Sequence, residues 1–240
     1  MPVVAETYDG TLNDINGLHI TEAHARQALD QATDGPVPEG NVGGGTGMIC
    51  YEFKGGTGTA SRRISVGEQE FRVGVLVQAN HGRRQDLTIL GVPVGRYLQN
   101  DTLFHKQEMG SIIAIIVTDV PMMPHQLERL AKRGAIGIAR GGTCGGNGSG
   151  DIFLAMSTAN PMPIDRMGRI NSDFSWIGDE LCDTVYQAAV EAIEESVINA
   201  LLAAEAMTTL RPPGQRCAAI DIDAMLEILG QYGRLRTSPR

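Results

Sequence analysis

Apolar residues recur along this chain at two periods, and the switch between them predicts its elements. Between 71 and 79 the period is two: Phe71, Val73, Val75 and Val77 share one face of a strand. The text before it breaks at turn residues into a strand over 48–53, a Lys54-Gly55-Gly56 turn, a strand over 58–66 and a Gly67-Glu68 turn, which together read as an antiparallel meander. Residues 111–118 form an unbroken β-branched run, the pattern of a buried strand. The period then lengthens. A helix is predicted from about 125 to 140, with Leu127, Leu130, Ala131, Gly134 and Ile138 on one face. A strand follows over 152–157, then a long helix over 180–207 turning Val185, Ala189, Ala192, Ile193, Val197, Ala200 and Leu201 inward. Pro212-Pro213-Gly214 ends it, and a short helix is predicted over 224–229. Near the start, Thr21 caps a helix through Leu29 that Asp34-Gly35-Pro36 stops. Residues 81–110 and 160–178 read as loop, the first as a variable surface loop. No linker divides the chain, so residues 1–240 are predicted to form a single domain. Strand runs and helix runs are partly segregated, which favours a layered α+β architecture over a βαβ repeat.

Composition narrows the function classes. With 42% apolar and 20% charged residues the chain is of ordinary globular make-up. Its net charge of −8 opposes wrapping on nucleic-acid phosphates. No window reaches the apolar length a spanning helix needs, so no membrane partner is expected. The opening residues lack the basic and apolar regions of a signal peptide, and Cys50, Cys144, Cys182 and Cys217 are scattered without metal or redox spacing. The expectation is a cytoplasmic protein with free thiols. Glycine is the one unusual count, 30 residues with clusters at 40–58 and 141–150.

Those clusters fail the familiar motifs. Lys54 precedes its glycines where a phosphate-binding loop needs Lys after them, G-x-G-x-x-G finds Met48 or Asp151 at its last place, and Asn147 stands where a nucleophile elbow needs glycine. His19, His24, His81, His105 and His125 show no metal-ligand spacing and read as surface or capping residues. What remains is Asn147-Gly148-Ser149-Gly150-Asp151 at the mouth of a buried strand. Alone this is a loop, yet its chemistry allows more. The Ser149 hydroxyl can attack the carbonyl of Gly148, whose missing Cβ leaves the backbone free to bend toward it. An N-to-O acyl shift and hydrolysis would then free an α-amine on Ser149 with a pKa of about 7.7–8.0, suited to a general base.

Six ordered runs carry a resemblance: Pro2-Val3-Val4-Ala5-Glu6-Thr7, Leu12-Asn13-Asp14-Ile15, the stretch from Gly40 through Met48, that from Phe53 through Arg62, Val75-Leu76-Val77-Gln78-Ala79-Asn80, and Asn147-Gly148-Ser149-Gly150-Asp151-Ile152-Phe153. Together they resemble the autoproteolytic serine aminopeptidases, the L-aminopeptidase/D-esterase and β-peptidyl aminopeptidase family. The resemblance implies a four-layer αββα sandwich of N-terminal-nucleophile-hydrolase type. It implies cleavage between Gly148 and Ser149 into subunits 1–148 and 149–240, assembly into homo-oligomers, and release of N-terminal residues from short peptides, amides or esters without metal or organic cofactor. Ser149 would be the nucleophile. Tyr51 matches a family tyrosine that stabilises the oxyanion, although a strand aromatic with its hydroxyl in solvent reads equally well. Asp119 falls where the family has an oxyanion-site asparagine, and capping the turn before Pro121 is an equal reading. Glu194 matches the family's helix glutamate, while Ala192 stands at its serine partner's place and Ser196 offers a substitute half a turn on; Glu191 and Glu195 read as solvated face. Family members also carry a substantial segment before the Pro2-Val3-Val4 motif. A sheet without those strands is expected to expose edges and an apolar face. The alternative from another class is a non-catalytic relative serving as an oligomeric scaffold or binding protein.

Overall fold

The period-two strands assemble as the alternation requires. A computed structural model describes residues 3–103, 110–161 and 173–235. Its main sheet runs β3 (Gly56–Val66), β4 (Gln69–Ala79), β5 (Ile113–Thr118) and β6 (Ile152–Ser157) in that spatial order. β3 and β4 pair antiparallel from Gly56 opposite Ala79 to Val66 opposite Gln69, and β4 pairs antiparallel with β5. β5 and β6 are parallel, Ile113 opposite Ile152, and α2 (Pro124–Ala139) joins them. One βαβ unit therefore sits inside the α+β fold.

Val73, Val75 and Val77 on β4 and Ala114 and Ile116 on β5 face α2 and α3 (Cys182–Leu202), whose Val185, Ala189, Ala192, Ile193, Val197 and Ala200 are buried against them. α3 begins later and ends earlier than its apolar pattern, with a 3-10 turn before Cys182. It crosses β3 at Gly58, where any Cβ would run into the Ser196 carbonyl oxygen and the Ala200 backbone. Gly58→Val is therefore expected to lower stability by roughly 1–3 kcal/mol through overpacking, read as a lower denaturant midpoint at unchanged slope.

The remaining elements are small. α1 (Glu22–Asp30) has Thr21 as N-cap, with His24 Nδ1 accepting from the Thr21 backbone N–H at 3.0 Å, and buries none of its residues. β7 (Met207–Thr208) pairs with β8 (Arg216–Cys217), and α4 (Ile222–Gln231) is capped by Asp221, which accepts from the Ala224 N–H at 3.0 Å. The predicted strand over 48–53 is instead two short strands, β1 (Ile49–Cys50) and β2 (Phe53–Lys54), folded on each other through Tyr51 and Glu52. Residues 81–95 are not a surface loop, since His81, Arg84, Leu87, Ile89, Val92 and Val94 are all buried, whereas most of 96–101 is exposed as expected. Part of the loop expected over 160–178, and His105, lie outside the described residues. Among the described residues no helix is long and apolar enough to cross a membrane, and the four cysteines are free thiols.

The sheet's second face is open. Val37, Leu76, Ile115 and Val117 line a shallow groove there, and on edge strand β6 Ile152 and Met156 are 38% and 40% exposed.

Candidate active site

The loop carrying Ser149 springs from the end of α2 and enters β6, so it lies at the end of the sheet where β3 begins and β4 ends. Both its ends are tied down. The Gly141 carbonyl accepts from the Thr88 N–H at 2.8 Å, and the Ser149 N–H donates to the Gly146 carbonyl at 2.8 Å across a turn. Gly142, at φ 106°, packs under the Asp86 carbonyl where no Cβ fits.

Ser149 is half-buried and its hydroxyl is engaged. Oγ donates to Asp151 Oδ1 at 2.6 Å, and the same oxygen accepts from the Ile112 N–H at 3.1 Å. Asp151 thus holds the serine against the start of β5 and is placed to take its proton. Sequence reading missed it, although the two-residue spacing Ser-Gly-Asp that puts carboxylate beside hydroxyl was present.

Tyr51 approaches from the other side. It is wholly buried, in the turn between β1 and β2, with its hydroxyl against Gly141, where a Cβ would lie 2.8 Å away. The reading of a strand aromatic with its hydroxyl in solvent fails on that burial. Tyr51 and Glu52 both adopt left-handed backbone, φ 50° and 61°, a conformation costing on the order of 1–3 kcal/mol for a residue with a Cβ. Surrounding groups enforce it. The Tyr51 N–H donates to the His81 carbonyl at 2.7 Å. The buried Arg84 guanidinium donates to the carbonyls of Tyr51 (3.0 Å), Glu52 (2.8 Å), Leu98 (2.7 Å) and Asn100 (2.9 Å), with Phe53 beneath it at 3.3 Å. Below this turn, Lys54 Nζ donates to the carbonyls of Gly45 (3.1 Å) and Gly55 (2.7 Å). Burial pushes its ammonium down to about 8, against the opposing pull of the Cys217 and Cys50 thiols. Lys54 therefore braces the glycine-rich loop rather than serving a ligand.

His81 completes the cluster and is the second residue the sequence concealed. It is 2% exposed, packs edge-on to the Tyr51 ring at 5.1 Å, and sets Nδ1 3.9 Å from Cys50 Sγ. Burial lowers its pKa to about 4, opposed by the charge of Asp151. Below the ordinary value near 6.5 the unfolded chain takes up a proton that the folded state refuses until about 4, so folding stability falls with pH across that window. His81→Phe is expected to flatten that acid-side loss, measured as denaturant midpoints between pH 7 and 4.

Asp119 and Glu194 are elsewhere. Asp119 follows the far end of β5, about 20 Å of strand from Ile112. It accepts from the Arg72 N–H at 2.6 Å and lies 3.6 Å from the Arg72 guanidinium, so it ties β4 to β5 and neither reaches an oxyanion near Ser149 nor caps the turn before Pro121. Glu194 is ion-paired to Arg140 at the end of α2, beside the Gly141 that touches Tyr51 but not on the Ser149 hydroxyl. Ser196 is no substitute partner: it is buried and donates to the Ala192 carbonyl one turn back at 2.7 Å. Glu191 and Glu195 pair with Arg62 on the outer edge of α3.

Comparison with known proteins places this geometry. Residues 1–212 match the model of peptidase family S58. The chain is 46% identical over 248 residues to a beta-peptidyl aminopeptidase of Sphingosinicella microcystinivorans, covering 98% of this chain and 62% of that protein. It is 44% identical to one of Sphingosinicella xenopeptidilytica, covering 87% and 55%. Among solved structures it resembles the L-aminopeptidase D-Ala-esterase/amidase of Ochrobactrum anthropi, a serine aminopeptidase described as a variant of the Ntn hydrolase fold, with 53% identity and a TM-score of 0.89 over 95% of this chain and 62% of that one. A Burkholderia beta-aminopeptidase follows at 42% identity and TM-score 0.84, over 95% and 64%. The chain thus spans about three fifths of these relatives' length, and its α+β architecture is that of the Ntn hydrolases.

Proposed function

Since this chain belongs to peptidase family S58, we propose that it is a self-processing serine aminopeptidase acting on short peptides, amides or esters. The observation that carries this reading is the Ser149 hydroxyl bonded to Asp151 at 2.6 Å, one peptide bond after Gly148. In the first stage Asp151 accepts the hydroxyl proton while Oγ attacks the Gly148 carbonyl carbon. The C–N bond breaks, the new amine takes the proton, and Gly148 is left esterified to Ser149. Water hydrolyses that ester, giving Gly148 a carboxylate and Ser149 a free α-amine. In the second stage this amine is the general base: Oγ attacks the carbonyl of the substrate's first residue, the leaving amine departs with the proton, and water releases the residue from its ester. Tyr51, held rigid at the loop's foot, is the candidate oxyanion donor in both stages. The working form is a homo-oligomer of processed subunits in a reducing cytoplasm, and the four free thiols favour the reducing setting alone.

A second reading, a non-catalytic scaffold, draws on the Ala192 departure and on Glu194 being held by Arg140. Intact mass together with hydrolysis of an aminoacyl p-nitroanilide separates the two. The enzyme gives chains 1–148 and 149–240 and a coloured product; the scaffold stays whole and silent.

A further inference from the structure

The His81 side chain is a buried polar group that this mechanism does not yet use. Nε2 is enclosed and has no hydrogen-bond partner among the described residues. A buried nitrogen left so forfeits its hydration without recompense, and an apolar residue of the same shape would avoid that cost. Its surroundings are those of the site: the Tyr51 ring edge-on, the Tyr51 N–H on its carbonyl, Cys50 beside Nδ1, and a place two residues past the end of β4, at the same end of the sheet as Asp151, which precedes β6 and takes the Ile112 N–H. Asp151 Oδ1 serves both Ser149 and Ile112, and a further donor on the carboxylate would fix its plane as it takes the Ser149 proton.

We propose, resting on the self-processing reading above, that His81 is a positioning residue for self-cleavage: with Nδ1 turned to the Cys50 thiol, its Nε2–H donates to the Asp151 carboxylate as Ser149 Oγ closes on the Gly148 carbonyl. The step moves no proton through His81. The imidazole stays neutral and acts by orientation, restricting Asp151 to the rotamer that faces the hydroxyl while its ring edge fixes Tyr51. Supporting groups of this kind typically contribute ten- to a hundredfold to a site they orient.

Two variants separate the nitrogen from the ring. His81→Phe keeps the edge contact with Tyr51 and removes both nitrogens; His81→Gln carries an amide N–H to the place of Nε2. Processing of freshly refolded protein is followed by intact mass, with thermal unfolding recorded on the unprocessed Ser149→Ala background. The expected result is processing slowed roughly ten- to a hundredfold in His81→Phe, with most of the rate restored in His81→Gln. A further readout follows the imidazole alone: in Ser149→Ala protein the His81 nitrogen resonances report an Nε2–H tautomer, and Asp151→Asn shifts them. His81→Phe protein that folds and splits at the wild-type rate overturns the inference, as do His81 resonances indifferent to Asp151→Asn. Wild-type protein that folds and never splits overturns the self-processing reading, and this inference with it.

Discussion

Ser149→Ala protein is expected to remain one 240-residue chain and to lose aminoacyl amide hydrolysis down to background. Both losses have one cause. The hydroxyl is the attacking group in self-cleavage and, once the cut is made, in turnover, so nothing else in the site replaces it. Removing the nucleophile of a serine hydrolase costs on the order of a millionfold in turnover. The fold should barely notice, since the side chain is half-buried and its hydrogen bond to Asp151 is worth about 1 kcal/mol. Intact mass and a p-nitroanilide assay on the same preparation read the two effects together. A cut persisting at Gly148 in this variant would assign the cleavage to another protease.

Asp151→Asn is the next largest effect expected. An asparagine oxygen still accepts from the Ile112 N–H, so the start of β5 stays tied, but the amide cannot take the Ser149 proton. General-base assistance contributes roughly 10²–10⁴-fold, so self-cleavage should slow by at least the lower figure while the unfolding temperature moves little. The time course of the 149–240 fragment gives the rate, and thermal unfolding of the same variant gives the stability. Equal rates in variant and wild type would remove Asp151 from the chemistry and leave it a strut for Ile112.

These two residues also mark how far the sequence could be read. The sheet and its helices were legible because their constraint is local: Val73, Val75 and Val77 alternate because one face of β4 is buried, and α3 repeats its apolar face against the same sheet. Ser149 was legible through its motif and its place before β6. Tyr51 was legible in identity but not in setting, since its left-handed backbone is imposed by Arg84 and His81, some 30 residues away in sequence. No periodicity encodes such a clamp. His81 was misread for a related reason. The polar residues 81–86 look solvated, yet Leu87, Ile89, Val92 and Val94 pull the segment into the core and carry His81 and Arg84 under with them. Asp119 and Glu194 were matched by position along the chain, and the arginines that hold them, Arg72 and Arg140, become visible only once β4 meets β5 and α2 meets α3.

The central assertion is that this chain opens its own backbone before Ser149, and N-terminal sequencing of every polypeptide in a folded, cooperatively melting preparation tests it most directly. The account predicts a second sequence beginning Ser-Gly-Asp-Ile beside the original start. Folded protein that yields the original start alone contradicts it.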